Sequence, residues 1–148
     1  MNSMESPAVN TYKQGFNCAQ AIVSAFGPQL GLPLEIALKL PLAFGGGMAS
    51  TGETCGAVTG ALMVIGLKYG SMDPKNKGAK KRVYKLSKSF MKQFKSINGS
   101  VECRELLNLN VGSIAGIIKA KKNGSFKKAC PKFVGDASDI VEQILKQQ

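Results

Sequence analysis

The chain has 148 residues, 44% of them apolar and 20% charged, which is the balance of a globular protein and not of a disordered one. Twenty Lys and Arg face nine Asp and Glu, giving a formal charge of +11, and there is no histidine. Without imidazole there is no Ser-His or Cys-His dyad, no His-ligated metal and no C-x-x-C-H haem attachment, so covalent haem is not expected. No apolar run approaches the roughly 20 residues that cross a bilayer, and the first residues lack a basic segment followed by an apolar one. The expectation is one cytoplasmic domain over 1–148, not membrane-spanning, with 1–5 as a loose N-terminal extension.

The pattern predicts an all-α, compact helical bundle of five to six helices. A first helix runs from about Ser6 to Phe26, with Phe16, Ala19, Ile22, Val23 and Phe26 at helical spacing and Gly27-Pro28 as its stop. A short helix follows Pro33 and ends at Pro41. The segment Phe44 to Gly52, with Gly45, Gly46 and Gly47 in a row, favours neither helix nor strand and reads as a tightly approached loop. A third helix starts near Thr54-Cys55 and runs to Tyr69. Its small residues Gly56, Thr59, Gly60, Met63 and Gly66 invite close approach of another backbone and mark it as central. Asp73-Pro74 is expected to open the fourth helix, with Asp as N-cap, and Val83, Leu86, Ser87, Phe90, Phe94 and Ile97 as its inner stripe. Asn98-Gly99 stops it. A turn over Glu102 to Leu107 carries Cys103, another helix spans about Ser113 to Lys122, and the last begins at Cys130-Pro131 and runs through Leu145.

Chemistry rests on four isolated cysteines: Cys18, Cys55, Cys103 and Cys130. No C-x-x-C is present, so neither a local dithiol nor a paired-knuckle zinc site is available, and the fold itself must gather them. In the reducing cytoplasm such cysteines point to catalysis, redox sensing or metal binding more than to structural disulfides. Cys55 and Cys130 are expected at helix N-termini and Cys103 at the start of a short turn, where unpaired N–H groups and the helix dipole favour a thiolate. Cys18 is placed mid-helix. The structural alternative for each is a small buried hydrophobe. Gly45, Gly46, Gly47 and Gly56 would let a ligand, cluster or sulfur come close to the backbone beside Cys55.

These residues resemble the C_GCAxxG_C_C family of redox-active proteins. The C-G-A-x-x-G motif stands as Cys55-Gly56-Ala57-Val58-Thr59-Gly60, after the cluster Phe44-Gly45-Gly46-Gly47. Gly15-Phe16-Asn17-Cys18-Ala19 fits the family's first cysteine. Cys103-Arg104-Glu105-Leu106-Leu107 and Cys130-Pro131-Lys132-Phe133-Val134 fit the third and fourth. The resemblance covers about Tyr12 to Leu145 and implies a small helical, cysteine-based redox module. Some relatives carry haem on an added C-x-x-C-H segment, which this chain lacks.

The leading expectation is thiol–disulfide chemistry, as in a thiol–disulfide oxidoreductase or electron-transfer protein, with Cys55 attacking and another cysteine resolving. Cys18 is the favoured partner, although four cysteines allow three full connectivities. One alternative is an iron–sulfur or zinc module with four thiolate ligands, Cys18, Cys55, Cys103 and Cys130, against which the wide spacing argues. Another is a basic-surface adaptor. From Lys75 to Lys95 there are nine basic residues and no acid, a face for an acidic protein or an anionic surface; Lys-rich and without a nucleic-acid motif, it does not point to nucleic acid. A second basic group runs Lys119, Lys121, Lys122, Lys127, Lys128 and Lys132. A redox partner is unspecified, and the small-residue helix and glycine loop leave room for a homodimer.

Overall fold

The structure is a computed structural model and describes residues 3–147. Eight α-helices occur among the described residues, more than the five to six expected, and no strand. They are α1 (Pro7–Lys13), α2 (Cys18–Phe26), α3 (Leu34–Lys39), α4 (Gly56–Tyr69), α5 (Lys77–Asn98), α6 (Cys103–Leu106), α7 (Ile114–Asn123) and α8 (Ser125–Leu145). A 3-10 turn at Ser3–Glu5 lies against α8. Residues 1 and 2 of the expected N-terminal extension lie outside the described residues. None of the helices is long and apolar enough to cross a membrane among the described residues.

Helix α4 is the centre of the bundle. Gly56, Ala57, Val58, Gly60, Ala61, Val64 and Ile65 are buried, and α2, α5 and α8 all pack on it. A helix that is apolar on most of its sides belongs inside a core. Its closest partner is α2. A Cβ on Gly56 would stand 2.9 Å from the Ala19 nitrogen, and one on Gly60 would stand 3.0 Å from the Ala19 carbonyl oxygen. The small-residue face is thus filled by α2 of the same chain. Gly66, at the other end, has nothing within 4 Å and takes no part in that contact. Phe90 and Phe94 of α5 close the core, stacked at 6.0 Å, with Phe94 tilted against Phe133 of α8 at 6.4 Å.

Three sequence expectations need correction. The first helix is two helices. The break falls at Gly15, whose φ of +109° a helix cannot contain. Asn17 then starts a new helix with a capping box: its side chain accepts from the Gln20 N–H at 2.9 Å while the Gln20 side chain accepts from the Asn17 N–H at 2.9 Å. Cys18 therefore begins α2 and is not mid-helix.

The fourth helix starts at Lys77, not at Asp73-Pro74. Asn76 is its N-cap, accepting from the Ala79 N–H, while the Asp73 carboxylate caps a preceding turn through the Lys75 N–H. Ile97, assigned to its inner stripe, is 56% exposed. The last helix starts at Ser125, so Cys130 is not at its N-terminus and Pro131 lies inside it. Proline at that position has no N–H to give the Lys127 carbonyl, and the helix accepts that loss because its remaining ladder and buried apolar face persist on either side.

The nine basic residues from Lys75 to Lys95 are all exposed. Lys75 precedes α5 and the other eight form its solvated side, on which Arg82 stacks over the Tyr69 ring at 4.3 Å and Lys80 sits over Tyr84 at 5.6 Å.

Candidate redox site

The loop before α4 builds one wall. Five consecutive residues are left-handed: Gly46 (φ +63°), Gly47 (+74°), Met48 (+65°), Ala49 (+52°) and Ser50 (+57°). For the three non-glycine residues this costs about 1–2 kcal/mol each. Backbone hydrogen bonds across the loop hold it, among them Ser50 N–H to Gly45 O at 3.0 Å, Gly52 N–H to Gly46 O at 3.0 Å and Glu53 N–H to Gly47 O at 2.9 Å. Gly47 is required on two counts, because a Cβ there would also lie 2.7 Å from the Cys103 Cβ.

The segment after the loop then pairs with the one before α6. Thr54 and Glu102 form an isolated antiparallel bridge, the Cys55 N–H donates to Val101 O at 2.8 Å, and the Cys103 N–H donates to Glu53 O at 2.7 Å. Arg104 clamps the same junction: its Nε donates to Gly52 O at 3.1 Å, and its Nη2 meets the Glu53 carboxylate at 2.6 Å. Cysteines far apart in sequence are carried together by this short pairing.

All four cysteines line one cavity of about 540 Å³. Cys18 opens α2, Cys55 is the N-cap of α4, Cys103 opens α6, and Cys130 comes from the wall of α8. Their exposures are only 9%, 4%, 7% and 5%, and none is in a disulfide. Gly46, Gly47 and Gly56 also line the cavity. Gly45 does not; it is fitted against Asn17, with 2.7 Å between a would-be Cβ and the Asn17 amide nitrogen.

The thiols are unequal. Cys18 stands within hydrogen-bonding reach of both Cys130 and Cys55. Those two contacts, with burial, push the Cys18 thiol well above its ordinary range, so it keeps its proton. Cys55 is shifted down: the Cys18 S–H donates to it, and the backbone N–H groups of Ala57 and Val58 at the start of α4 point at its sulfur, against an opposing effect of burial. Cys130 is also shifted down, by Cys18 and then by the Tyr12 hydroxyl, again against burial. Cys18 has one proton for two acceptors, and the Tyr12 hydroxyl already donates to Phe126 O at 3.1 Å. Only Cys55 keeps fixed backbone donors of its own, so it is the better place for the negative charge. Cys103 is pushed up to about 12, by burial first and then by the neighbouring Cys55 and Cys130 sulfurs.

Tyr12 is a residue the sequence did not single out. Burial and the surrounding thiols raise its phenol well above its ordinary value, so it stays a neutral donor. The signal was available only in retrospect, since Tyr12 sits in a helix of its own once the break at Gly15 is seen. Among the described residues, no group of three or more His, Cys, Asp or Glu is placed to hold an ion.

The family model described as "Putative redox-active protein (C_GCAxxG_C_C)" matches residues 16–144. No curated protein and no solved structure matches the chain.

Proposed function

The chain belongs to the C_GCAxxG_C_C redox-active family, and from that premise we propose that it is a thiol–disulfide exchange module in which Cys55 is the attacking thiolate and Cys18 the resolving thiol. The observation that carries this is the Cys18 thiol held against Cys55, whose sulfur also faces the Ala57 and Val58 N–H groups.

The Cys55 thiolate attacks one sulfur of a substrate disulfide, forming a mixed disulfide and releasing one substrate thiolate. That thiolate takes the Cys18 proton and leaves as a thiol. The Cys18 thiolate attacks the Cys55 sulfur, the mixed disulfide breaks, and the second half of the substrate departs as a thiolate. Two electrons pass from the cysteine pair to the substrate, and a Cys18–Cys55 disulfide is left. Run backwards, the same steps oxidise two thiols. A reducing compartment such as the cytoplasm would reset the pair for the forward direction. Cys130 also stands within hydrogen-bonding reach of Cys18, with Tyr12 beside it.

The test is to treat the fully reduced chain, without oxygen, with one equivalent of bis(hydroxyethyl) disulfide, then alkylate and map the peptides. A Cys18–Cys55 cross-link with Cys103 and Cys130 alkylated is the result expected. Four cysteines that stay alkylated, or a cross-link that leaves out Cys55, would contradict the proposal.

A further inference from the structure

We infer that the substrate of this site is a low-molecular-weight disulfide carrying carboxylate groups, not the disulfide of a folded protein. The inference rests on the exchange chemistry proposed above and adds the substrate class. Size comes first. Cys55 is 4% exposed and Cys18 9%, so neither sulfur is presented on an outer surface. They are reached through a cavity of about 540 Å³. Small-molecule sites are roughly 300–1,000 Å³, and a disulfide embedded in a folded partner would have to push a loop into that space.

Charge comes second. Among the described residues, the charged side chains that line the cavity are Lys13 and Lys127, and no carboxylate lines it. Both lysines are exposed, which places their ammonium groups at the rim. The N-terminal ends of α2 and α4, the positive ends of their dipoles, meet at the same cavity through Cys18 and Cys55. The two rim lysines and the N-terminal ends of α2 and α4 favour an anion. The walls contribute Phe16, Phe126 and Phe133, which suit the methylene arms between a disulfide and its end groups. The reaction moves the negative charge of the Cys55 thiolate onto the substrate, whose second half leaves as a thiolate, and the same positive rim receives it.

Three disulfides of similar size and different charge separate the outcomes: dithiodipropionate, with a carboxylate at each end; bis(hydroxyethyl) disulfide, neutral; and cystamine, with an ammonium at each end. The rate at which each oxidises the reduced full-length chain is divided by its rate with dithiothreitol, which removes intrinsic reactivity. At low salt the corrected rate for dithiodipropionate should exceed that for cystamine by about tenfold or more, and the gap should shrink as salt rises. The double variant Lys13→Gln/Lys127→Gln should shrink it several-fold. Lys85→Gln/Lys88→Gln, which removes the same charge from the exposed side of α5, should change it much less.

Equal corrected rates, a preference for cystamine, or equal effects of the two double variants would overturn the inference. A second readout separates it from the exchange proposal: calorimetric titration of dithiodipropionate into the Cys55→Ser variant, which lacks the attacking thiolate. Saturable binding that the two rim substitutions abolish supports the anionic cavity even if no probe oxidises the chain, an outcome that would overturn the exchange chemistry instead. Exchange without charge preference and without such binding leaves the chemistry standing and removes the substrate class.

Discussion

One helix carries the same substitution with opposite expected signs. Gly66→Ala and Gly56→Ala each add a methyl group to α4. At Gly66 the new Cβ meets nothing within 4 Å, so the change keeps the helix-propensity gain of up to about 1 kcal/mol. For a chain of this size that raises Tm by about 2–4 °C. At Gly56 the Cβ would stand 2.9 Å from Ala19 N, 3.0 Å from Phe44 O and 3.2 Å from the Cys18 Cβ. Two of those atoms are backbone, so α2 and the turn before the loop must retreat by about half an ångström to restore ordinary contact. Overpacking of this kind costs about 1–3 kcal/mol, and Gly56 is the first helical residue, where the propensity gain is smaller. The two variants should therefore differ by roughly 2–4 kcal/mol, which at a urea slope of about 1–3 kcal/mol/M separates their midpoints by about 0.7 M or more. Urea unfolding of the reduced chains gives the midpoints directly. Gly56→Ala also wedges Cys18 from Cys55, so its yield of the Cys18–Cys55 disulfide should fall while that of Gly66→Ala does not. Midpoints that move together in the same direction would refute the close α2–α4 contact as the basis of the site.

The capping box predicts that Asn17→Ala loses about 1–2 kcal/mol, from the acceptor for the Gln20 N–H and the donor to Leu42 O at 2.8 Å. Asn17→Asp keeps the acceptor and should lose about half as much in urea unfolding; equal losses would show that the cap is not what matters. The Cys103 thiol, raised in the folded chain to about 12 from 9.0, holds its proton more tightly there than in the unfolded chain. Its contribution to stability is fully present below about pH 9 and is lost as pH rises towards about 12. The stability difference between the parent chain and Cys103→Ala should accordingly narrow over that interval, and a difference that stays constant would contradict the burial of this thiol.

Much of this architecture is readable in the residues. Gly99 at φ +88° ends α5 where Asn98-Gly99 announces a stop, Ser113 caps α7, and the Gly-rich run before Cys55 does place that cysteine at a helix start. The break between α1 and α2 was hidden because the apolar positions continue at helical spacing across it. The counter-signal was the Asn17-x-x-Gln20 capping pair behind Gly15. Cys130-Pro131 misleads because proline at a helix start and proline inside one look alike in sequence, and Gly124-Ser125 was the true boundary. The left-handed run through Met48, Ala49 and Ser50 has no compositional mark, since those residues disfavour that conformation and tertiary hydrogen bonds impose it. The meeting of the four cysteines depends on the pairing of Thr54 with Glu102 and on α8 packing beside α1 and α4, contacts that no local pattern encodes.

The central claim is that Cys55 is the ionised member of a hydrogen-bonded pair with Cys18. It is tested most directly by the alkylation rate of each cysteine as a function of pH, resolved by peptide mass spectrometry on the reduced chain. Cys55 should react first, with a midpoint below the ordinary 9.0 that rises in Cys18→Ala, while Cys103 stays slow until the pH nears about 12. Cys103 or Cys18 reacting ahead of Cys55, or a Cys55 midpoint that Cys18→Ala leaves unmoved, would contradict the account.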